Sequence, residues 1–193
     1  MAVADSNLIA RVLVNGDHNA YSTLVRRYQS DVRALLRRLT KEDHALADDL
    51  AQETFIKAYH ALKTFRAEAK LSTWLYRIAY NAFISHTRSH KSYASLEAMT
   101  EEYGDGAEEG VMQDDGTILA IEQRDLSRDL NAAMRHLSED ERAAIHICYQ
   151  NGYSHSEAAT VLGQPVGTVK THIARGKEKL RQYLSAWQEE AAV

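Results

Sequence analysis

Apolar residues recur at helical spacing along most of the chain, and no segment of convincing length alternates apolar and polar residues as a β-strand does. Between Tyr21 and Leu39, for example, eight apolar positions keep this spacing for five turns. A single proline and nine glycines leave these patterns almost uninterrupted. The pattern predicts an all-α protein.

Local signals mark where several helices begin and end. Asn15 and Gly16 form a helix-stop pair, which closes a first short helix over 6–15, and Asp17 is suited to cap the helix that follows. The segments 138–141 and 154–157 each place Glu three residues after Ser, which is the capping-box pattern at a helix start. These signals predict separate short helices in the last third of the chain.

The stretch 48–88 predicts two amphipathic helices joined by a short loop. Ala51, Phe55 and Leu62 belong to the apolar side of the first helix, and Ser72 is the expected N-cap of the second. The loop contains Phe65 and two cations, and the polar side of the second helix carries arginine, amide and hydroxyl groups. Aromatic rings beside cations and amides are suited to stacking unpaired bases and bonding their edges.

Charge is distributed unevenly, so a net charge of −4 does not exclude nucleic-acid binding. Residues 1–91 carry a net charge of +5, residues 92–127 carry −9, and residues 128–193 are neutral. Within the last segment, 166–181 has five cations and one acid. Since a local patch rather than the total charge binds phosphates, the basic segments are candidate nucleic-acid surfaces.

The acidic segment 92–117 is rich in Asp, Glu, Gly and small residues and has few large apolar groups. It cannot bury enough apolar surface to offset the entropy of ordering, so we expect it to be flexible or extended. The sequence therefore predicts two small helical domains, 1–91 and 118–193, joined by a linker at 92–117.

The segment 154–181 has the pattern of a helix-turn-helix: a short capped helix, a turn containing glycine and a second helix over 166–181. Val169 and Ile173 occupy the core side of the second helix. The opposite side, near the start of this helix, is where a recognition helix meets base edges, and its residues can bond guanine, thymine or phosphate. These residues are Lys170, Thr171, Ala174 and Arg175.

The run DLAQETFIKAYHAL…F…STWLYRIAYN resembles region 2 of the extracytoplasmic-function (ECF) sigma factors, the small bacterial initiation factors that direct core RNA polymerase to promoters. The helix-turn-helix, with its Gly-Thr-Val-Lys run, is similar to region 4 of the same family. The chain departs from the family pattern at His172, where an arginine is common, at Ser85, where Asp is frequent, and at Gly176-Lys177.

The resemblance implies a role for each surface. One side of the first quoted helix would dock on core polymerase: Asp48, Asp49, Gln52, Glu53, Phe55 and Lys57. The loop and second helix, 65–88, would open and read the −10 element: Phe65, Arg66, Trp74, Arg77, Tyr80, Asn81, Ser85 and Arg88. The recognition helix would read the −35 element as duplex: Lys170, Thr171, His172, Ala174 and Arg175. The family also implies an anti-sigma factor as a partner and a linker that threads polymerase channels which otherwise hold nucleic acid. The negative charge of 92–117 adds the hypothesis that this linker imitates a phosphate backbone there.

Other functions are less consistent with the sequence. The run Thr-Val-Lys-Thr-His-Ile also resembles LuxR-type regulators, which makes a conventional DNA-binding regulator the alternative function. His86 and His90 lie four residues apart, as a metal pair on one helix face would, but no third ligand has convincing spacing. No nucleotide-binding loop or catalytic motif is recognisable, so we expect no enzymatic activity, cofactor or metal.

The chain contains one cysteine, Cys148, and no signal-peptide or membrane-spanning pattern. A single thiol cannot form an internal disulfide and suits a reducing compartment. We therefore expect a cytoplasmic protein with no membrane contact of its own.

Overall fold

The computed structural model describes residues 4–97 and 129–184, with side chains over 4–90 and 129–184. Within these ranges the regular secondary structure is entirely helical, as expected. The remainder of the predicted linker, 98–117, lies outside the described residues.

The described residues 4–97, called the first half below, contain four α-helices. Their bounds are Asp5–Asn15 (α1), His18–Leu39 (α2), His44–Ala61 (α3) and Leu71–Glu97 (α4), with a 3₁₀ turn at Leu62–Thr64 after α3. Gly16 ends α1 in the left-handed conformation, and the carboxylate of Asp17 accepts hydrogen bonds from the first free N–H groups of α2. Both local predictions at this junction are confirmed.

The second half contains a helical segment at 129–135 (α5), followed by Glu139–Ile145 (α6), His155–Leu162 (α7) and Val166–Tyr183 (α8). A π-helical turn, His146–Gln150, extends α6. Both predicted capping boxes are present, with Ser138 bonded reciprocally to Glu141 and Ser154 to Glu157. The sequence signal is accurate here because a cap involves only residues three positions apart.

Two predictions at the ends of α4 are wrong. The helix begins at Leu71, and the N–H of Trp74 bonds to the carbonyl of Lys70, so Ser72 lies inside the first turn instead of capping it. At the other end, α4 continues to Glu97, six residues into the segment expected to be flexible. Helical hydrogen bonds that continue from the preceding turns make such an extension less costly than a new helix start.

The core of the first half lies where α2 and α4 pack against α3. Leu35 and Leu36 of α2, Ala47 of α3 and Ala79 of α4 are completely buried there. The small residues on α3 and α4 allow the helix axes to approach closely. Asp49 and Gln52 of α3 and Arg77 and Asn81 of α4 lie outside this core and are exposed.

The two halves also pack against each other, with α4 against α7 and α2 against α6. The guanidinium of Arg142 is central to this interface, since the residue is only 2% exposed. It donates hydrogen bonds to the carbonyl oxygens of Leu39 (2.7 Å) and Leu137 (3.0 Å). Leu39 is the last residue of α2, so Arg142 satisfies a carbonyl that the helix itself leaves unpaired.

Candidate nucleic-acid interface

The second helix of the helix-turn-helix, α8, has one face in the core and one in solvent. Val169 and Ile173 are buried, whereas the face with Lys170, Thr171, Ala174 and Arg175 is exposed. Gly163 makes the turn before α8 at a φ of +64°, a conformation that costs glycine little. The exposed stripe from Lys170 to Arg175, near the start of α8, therefore has one cation at each end.

Gly176 explains how closely α8 approaches α6. A Cβ atom at this position would lie 2.6 Å from Cδ1 of Ile145, so the absence of a side chain lets the helices meet. The packing of Gly176 against Ile145 therefore sets the position of α8, on the side of the helix opposite to the exposed stripe.

Two residues of the predicted −35 set are less available than their neighbours. His172 is half-buried, so only part of its ring faces solvent. The hydroxyl of Thr171 donates to the carbonyl oxygen of Gly167 at 3.0 Å. Its methyl group and its hydroxyl lone pairs remain available, which suits contact with a thymine methyl group or a base donor.

The predicted −10 residues lie mainly on one exposed side of α4 and on the preceding loop. The rings of Phe65 and Trp74 are in contact, with centroids 5.4 Å apart at an angle of 56°. Both rings are half-buried, and Arg66 beside them is exposed. Four exposed residues continue along the helix: Arg77, Asn81, Ser85 and Arg88.

Tyr80 does not share this exposed face. It is 4% exposed, and its hydroxyl donates to Oδ1 of Asp140 in α6 at 2.6 Å. Burial and this carboxylate both raise the pKa of the Tyr80 hydroxyl. In this arrangement of the two halves, Tyr80 is buried and bonded to α6.

The predicted polymerase face lies on α3. Asp49, Gln52 and Lys57 are exposed, and Lys57 pairs with Glu53 one turn earlier. Asp48 is half-buried and pairs with Arg33 of α2 at 3.1 Å. Phe55 is also half-buried and packs against the core, which leaves it little surface for a partner.

Ile56 is an exposed apolar residue of this face that the apolar pattern of the sequence does not single out. It is 61% exposed and lies on α3 between the exposed polar residues Gln52 and Lys57. A single exposed apolar side chain is ordinary on a protein surface, so Ile56 adds apolar area to this face without marking an interface by itself. The one signal for Ile56 in the sequence is that its position lies off the apolar stripe of α3.

The histidine pair identified in the sequence is adjacent in space, since the ring centroids of His86 and His90 are 6.0 Å apart. Among the described residues no group of three or more His, Cys, Asp or Glu is placed to hold a metal ion. No helix within 4–97 or 129–184 is both long and apolar enough to cross a membrane.

Comparisons with known proteins agree with both halves of this description. Residues 24–93 match the family Sigma-70 region 2, and residues 127–180 match Sigma-70, region 4. The RNA polymerase sigma-H factor of Pseudomonas aeruginosa is 34% identical over 192 residues, which cover 97% of each chain. The ECF RNA polymerase sigma factor SigW of Bacillus subtilis is 35% identical and covers 88% of this chain and 91% of its own. The chain belongs to the ECF family of RNA polymerase sigma factors.

Solved structures place this sigma factor in the same fold. The sigma factor RpoE of Bartonella quintana, solved with the anti-sigma factor NepR, aligns with a TM-score of 0.69 at 25% identity, covering 86% of this chain and 96% of its own. CnrH, solved with the cytosolic domain of CnrY, aligns with a TM-score of 0.61 at 26% identity, covering 95% and 99%. The family consists of initiation factors rather than enzymes, and the LuxR-type alternative receives no support from these comparisons.

Proposed function

We propose that this sigma factor docks on core RNA polymerase through α3, opens and reads the −10 element with α4 and its preceding loop, and reads the −35 element with α8. These roles are divided between the two domains expected at 1–91 and 118–193, and 92–117 is the linker that connects them. The observation that carries it is the exposed stripe from Lys170 to Arg175, on a helix whose other side is fixed in the core. The protein would work in the bacterial cytoplasm.

The −10 function is supported by the position of Phe65 and Trp74 at the start of the exposed face of α4. Half-buried rings keep their orientation and still offer an edge or face to an unstacked base. Arg77 and Asn81, which are exposed along the next turns, supply donors for phosphates and base edges. Tyr80 would join this face once α6 moves away from α4.

The docking function is supported by the composition of α3. Asp49 and Gln52 are exposed polar residues beside the exposed side chain of Ile56. A partner can therefore bury an apolar centre and bond its polar surroundings, as most protein interfaces do. RpoE was solved with the anti-sigma factor NepR, and we expect a partner of this kind for this chain.

Free sigma factor is expected to bind promoters weakly. Two DNA-reading surfaces joined by a tether gain affinity from each other only when their spacing matches the spacing of the two elements. Core polymerase would fix that spacing. Weak promoter binding by the free protein also fits its net charge of −4.

The decisive experiment titrates fluorescently labelled protein with purified core RNA polymerase, without DNA, and follows anisotropy. We expect tight binding that Asp49→Lys weakens and that the matched control Asp31→Lys, an exposed charge reversal on α2, leaves unchanged. Normal binding by Asp49→Lys would remove this face from the docking role. Absence of polymerase binding together with tight binding of promoter DNA by the protein alone would overturn the proposed function.

A further inference from the structure

Lys177 differs from the two cations that follow it on α8. The ammonium of Lys179 lies 2.8 Å from the carboxylate of Glu141, and Arg181 pairs with Glu178. Lys177 instead donates to the neutral phenol of Tyr149, with 3.3 Å between Nζ and the hydroxyl oxygen. The contact holds the lysine in place without neutralising its charge.

The π-helical turn after α6 positions Tyr149 for this contact. Ile147 of this turn is fully buried, whereas Tyr149 is 57% exposed and reaches across to α8. Such turns insert an extra residue into a helix and frequently occur at functional sites. The large exposed ring is therefore held over α8 by a turn whose other side is anchored in the core.

The two distances show which part of the ring holds the lysine. Nζ of Lys177 is 5.2 Å from the ring centroid but only 3.3 Å from the hydroxyl oxygen. The ammonium thus lies towards the hydroxyl end of the ring, and the hydrogen bond is the dominant contact. Replacing the hydroxyl alone should release the lysine even if the ring remains.

The unused hydrogen-bond donors of Lys177 and Tyr149 indicate what this pair can bind. A lysine ammonium has three donors, and one of them is used on Tyr149. The phenol oxygen accepts this bond, so its own O–H is free to donate. An oxyanion such as a phosphate can take both kinds of donor and also gains from the lysine charge.

The pair is also placed correctly relative to the recognition face. Lys177 follows Lys170 and Ala174 at seven and three residues, so the three share one side of α8. Seven residues correspond to about 10 Å along the helix axis. When the first turn of a recognition helix meets base edges, later turns lie nearer the phosphates that border the groove.

We propose that Tyr149 and Lys177 form a phosphate-binding pair that grips the DNA backbone beside the −35 element, with Tyr149 as the positioning residue. This inference rests on the proposed −35 function of α8. In this proposal the pair contributes to DNA affinity and to the register of α8 on the duplex, whereas Lys170 and Arg175 discriminate between bases.

The test uses holoenzyme reconstituted from core polymerase and the full chain. Its probe is a short fluorescent duplex enriched by the holoenzyme from a pool randomised in the upstream element. We expect Lys177→Gln to weaken binding equally on the enriched and a scrambled duplex, and to reduce the slope of log affinity against log salt by about 0.9. Lys177→Arg should retain the slope, and Arg181→Gln, which removes a charge already paired with Glu178, should leave it near that of the unmodified protein.

The role of Tyr149 is tested by Tyr149→Phe, which keeps the ring and removes the hydroxyl. We expect Tyr149→Phe to weaken duplex binding severalfold when Lys177 is present. The loss should be clearly smaller when Lys177→Gln is already present, because the tyrosine acts largely through the lysine. Both residues are exposed, and an unchanged thermal midpoint would verify that the variants fold.

An unchanged salt slope in Lys177→Gln, or equal losses from Tyr149→Phe in both backgrounds, would overturn the inference. A change in base preference in Lys177→Gln would make it a base-reading residue and would also overturn it. Arg175→Ala, measured in parallel, separates this outcome from failure of the −35 function itself. If Arg175→Ala alters preference while the salt slope of Lys177→Gln is unchanged, α8 reads DNA without this pair.

Discussion

The hydroxyl of Tyr80 in α4 donates a hydrogen bond of 2.6 Å to the carboxylate of Asp140 in α6. The two residues are 60 positions apart and belong to the halves that match region 2 and region 4. The bond therefore links a residue expected at the −10 element to the domain expected at the −35 element. Gln164 donates to the same carboxylate oxygen at 2.9 Å, so Asp140 collects donors from α4 and from the turn before α8.

Tyr80→Phe should weaken the contact between the two halves. A hydrogen bond to a charged group contributes about 1.5–3 kcal/mol, and the value should fall at the low end because Gln164 still bonds Asp140. We expect the free energy of unfolding in urea to fall by this amount. Tyr149→Phe, at an exposed tyrosine, is the control and should change it little. Equal stability of Tyr80→Phe and the unmodified chain would show that the bond contributes nothing in solution.

Arg142→Met should be more destabilising. The substitution leaves the buried carbonyl oxygens of Leu39 and Leu137 without their donor, and each unsatisfied acceptor costs about 1–3 kcal/mol. We expect a loss of about 2–4 kcal/mol in the free energy of unfolding, since methionine recovers some packing. Arg142→Lys should give an intermediate loss because one ammonium cannot reproduce the geometry of the guanidinium fork. A methionine variant as stable as the lysine variant would contradict this account.

His146 should make stability depend on pH. The residue is 2% exposed, and burial, with a smaller contribution from the positive charge of Arg38, lowers its pKa from 6.5 to about 4. Between these values the unfolded chain binds a proton that the folded chain does not, so stability falls as pH falls from 6.5 towards 4. We expect a loss of about 2 kcal/mol from this residue between pH 7 and pH 5.

The measurement for His146 compares urea unfolding of the unmodified chain and His146→Gln at both pH values. Carboxylates also titrate in this range, so the quantity of interest is the difference between the two pH dependences. Glutamine cannot take up a proton, and its variant should lose about 2 kcal/mol less on acidification. Parallel curves for the two proteins would show that His146 is not buried as a neutral ring.

Arg175→Ala should impair use of the −35 element and leave polymerase binding intact. Arg175 is exposed on α8, and a bidentate contact with guanine is worth about 1–3 kcal/mol of discrimination. Transcription in vitro from the preferred promoter and from variants of its upstream element measures this loss. Arg181→Ala is the matched control, since its guanidinium is paired with Glu178. Lost polymerase binding in Arg175→Ala would mean that the domain roles are assigned wrongly.

The sequence by itself determined the helical class, most helix ends and the exposed face of α8. The caps at Asp17, Ser138 and Ser154 involve neighbours two or three residues away, and the exposure of Lys170 and Arg175 follows from the burial of Val169 and Ile173 on the same helix. These features depend on contacts within a single helical turn or on a 3.6-residue period, and such contacts can be read from a linear pattern.

The tertiary structure decided which of these surfaces are covered and which charges are compensated. The hydroxyl of Tyr80 bonds to Asp140, the carbonyl of Leu39 is capped by Arg142 at a separation of 103 residues, and Lys177 contacts Tyr149. Helical periodicity shows which face a side chain is on but not what packs against that face. Chain folding brings these partners together through many weak contacts between distant segments, and that information is not contained in any local pattern.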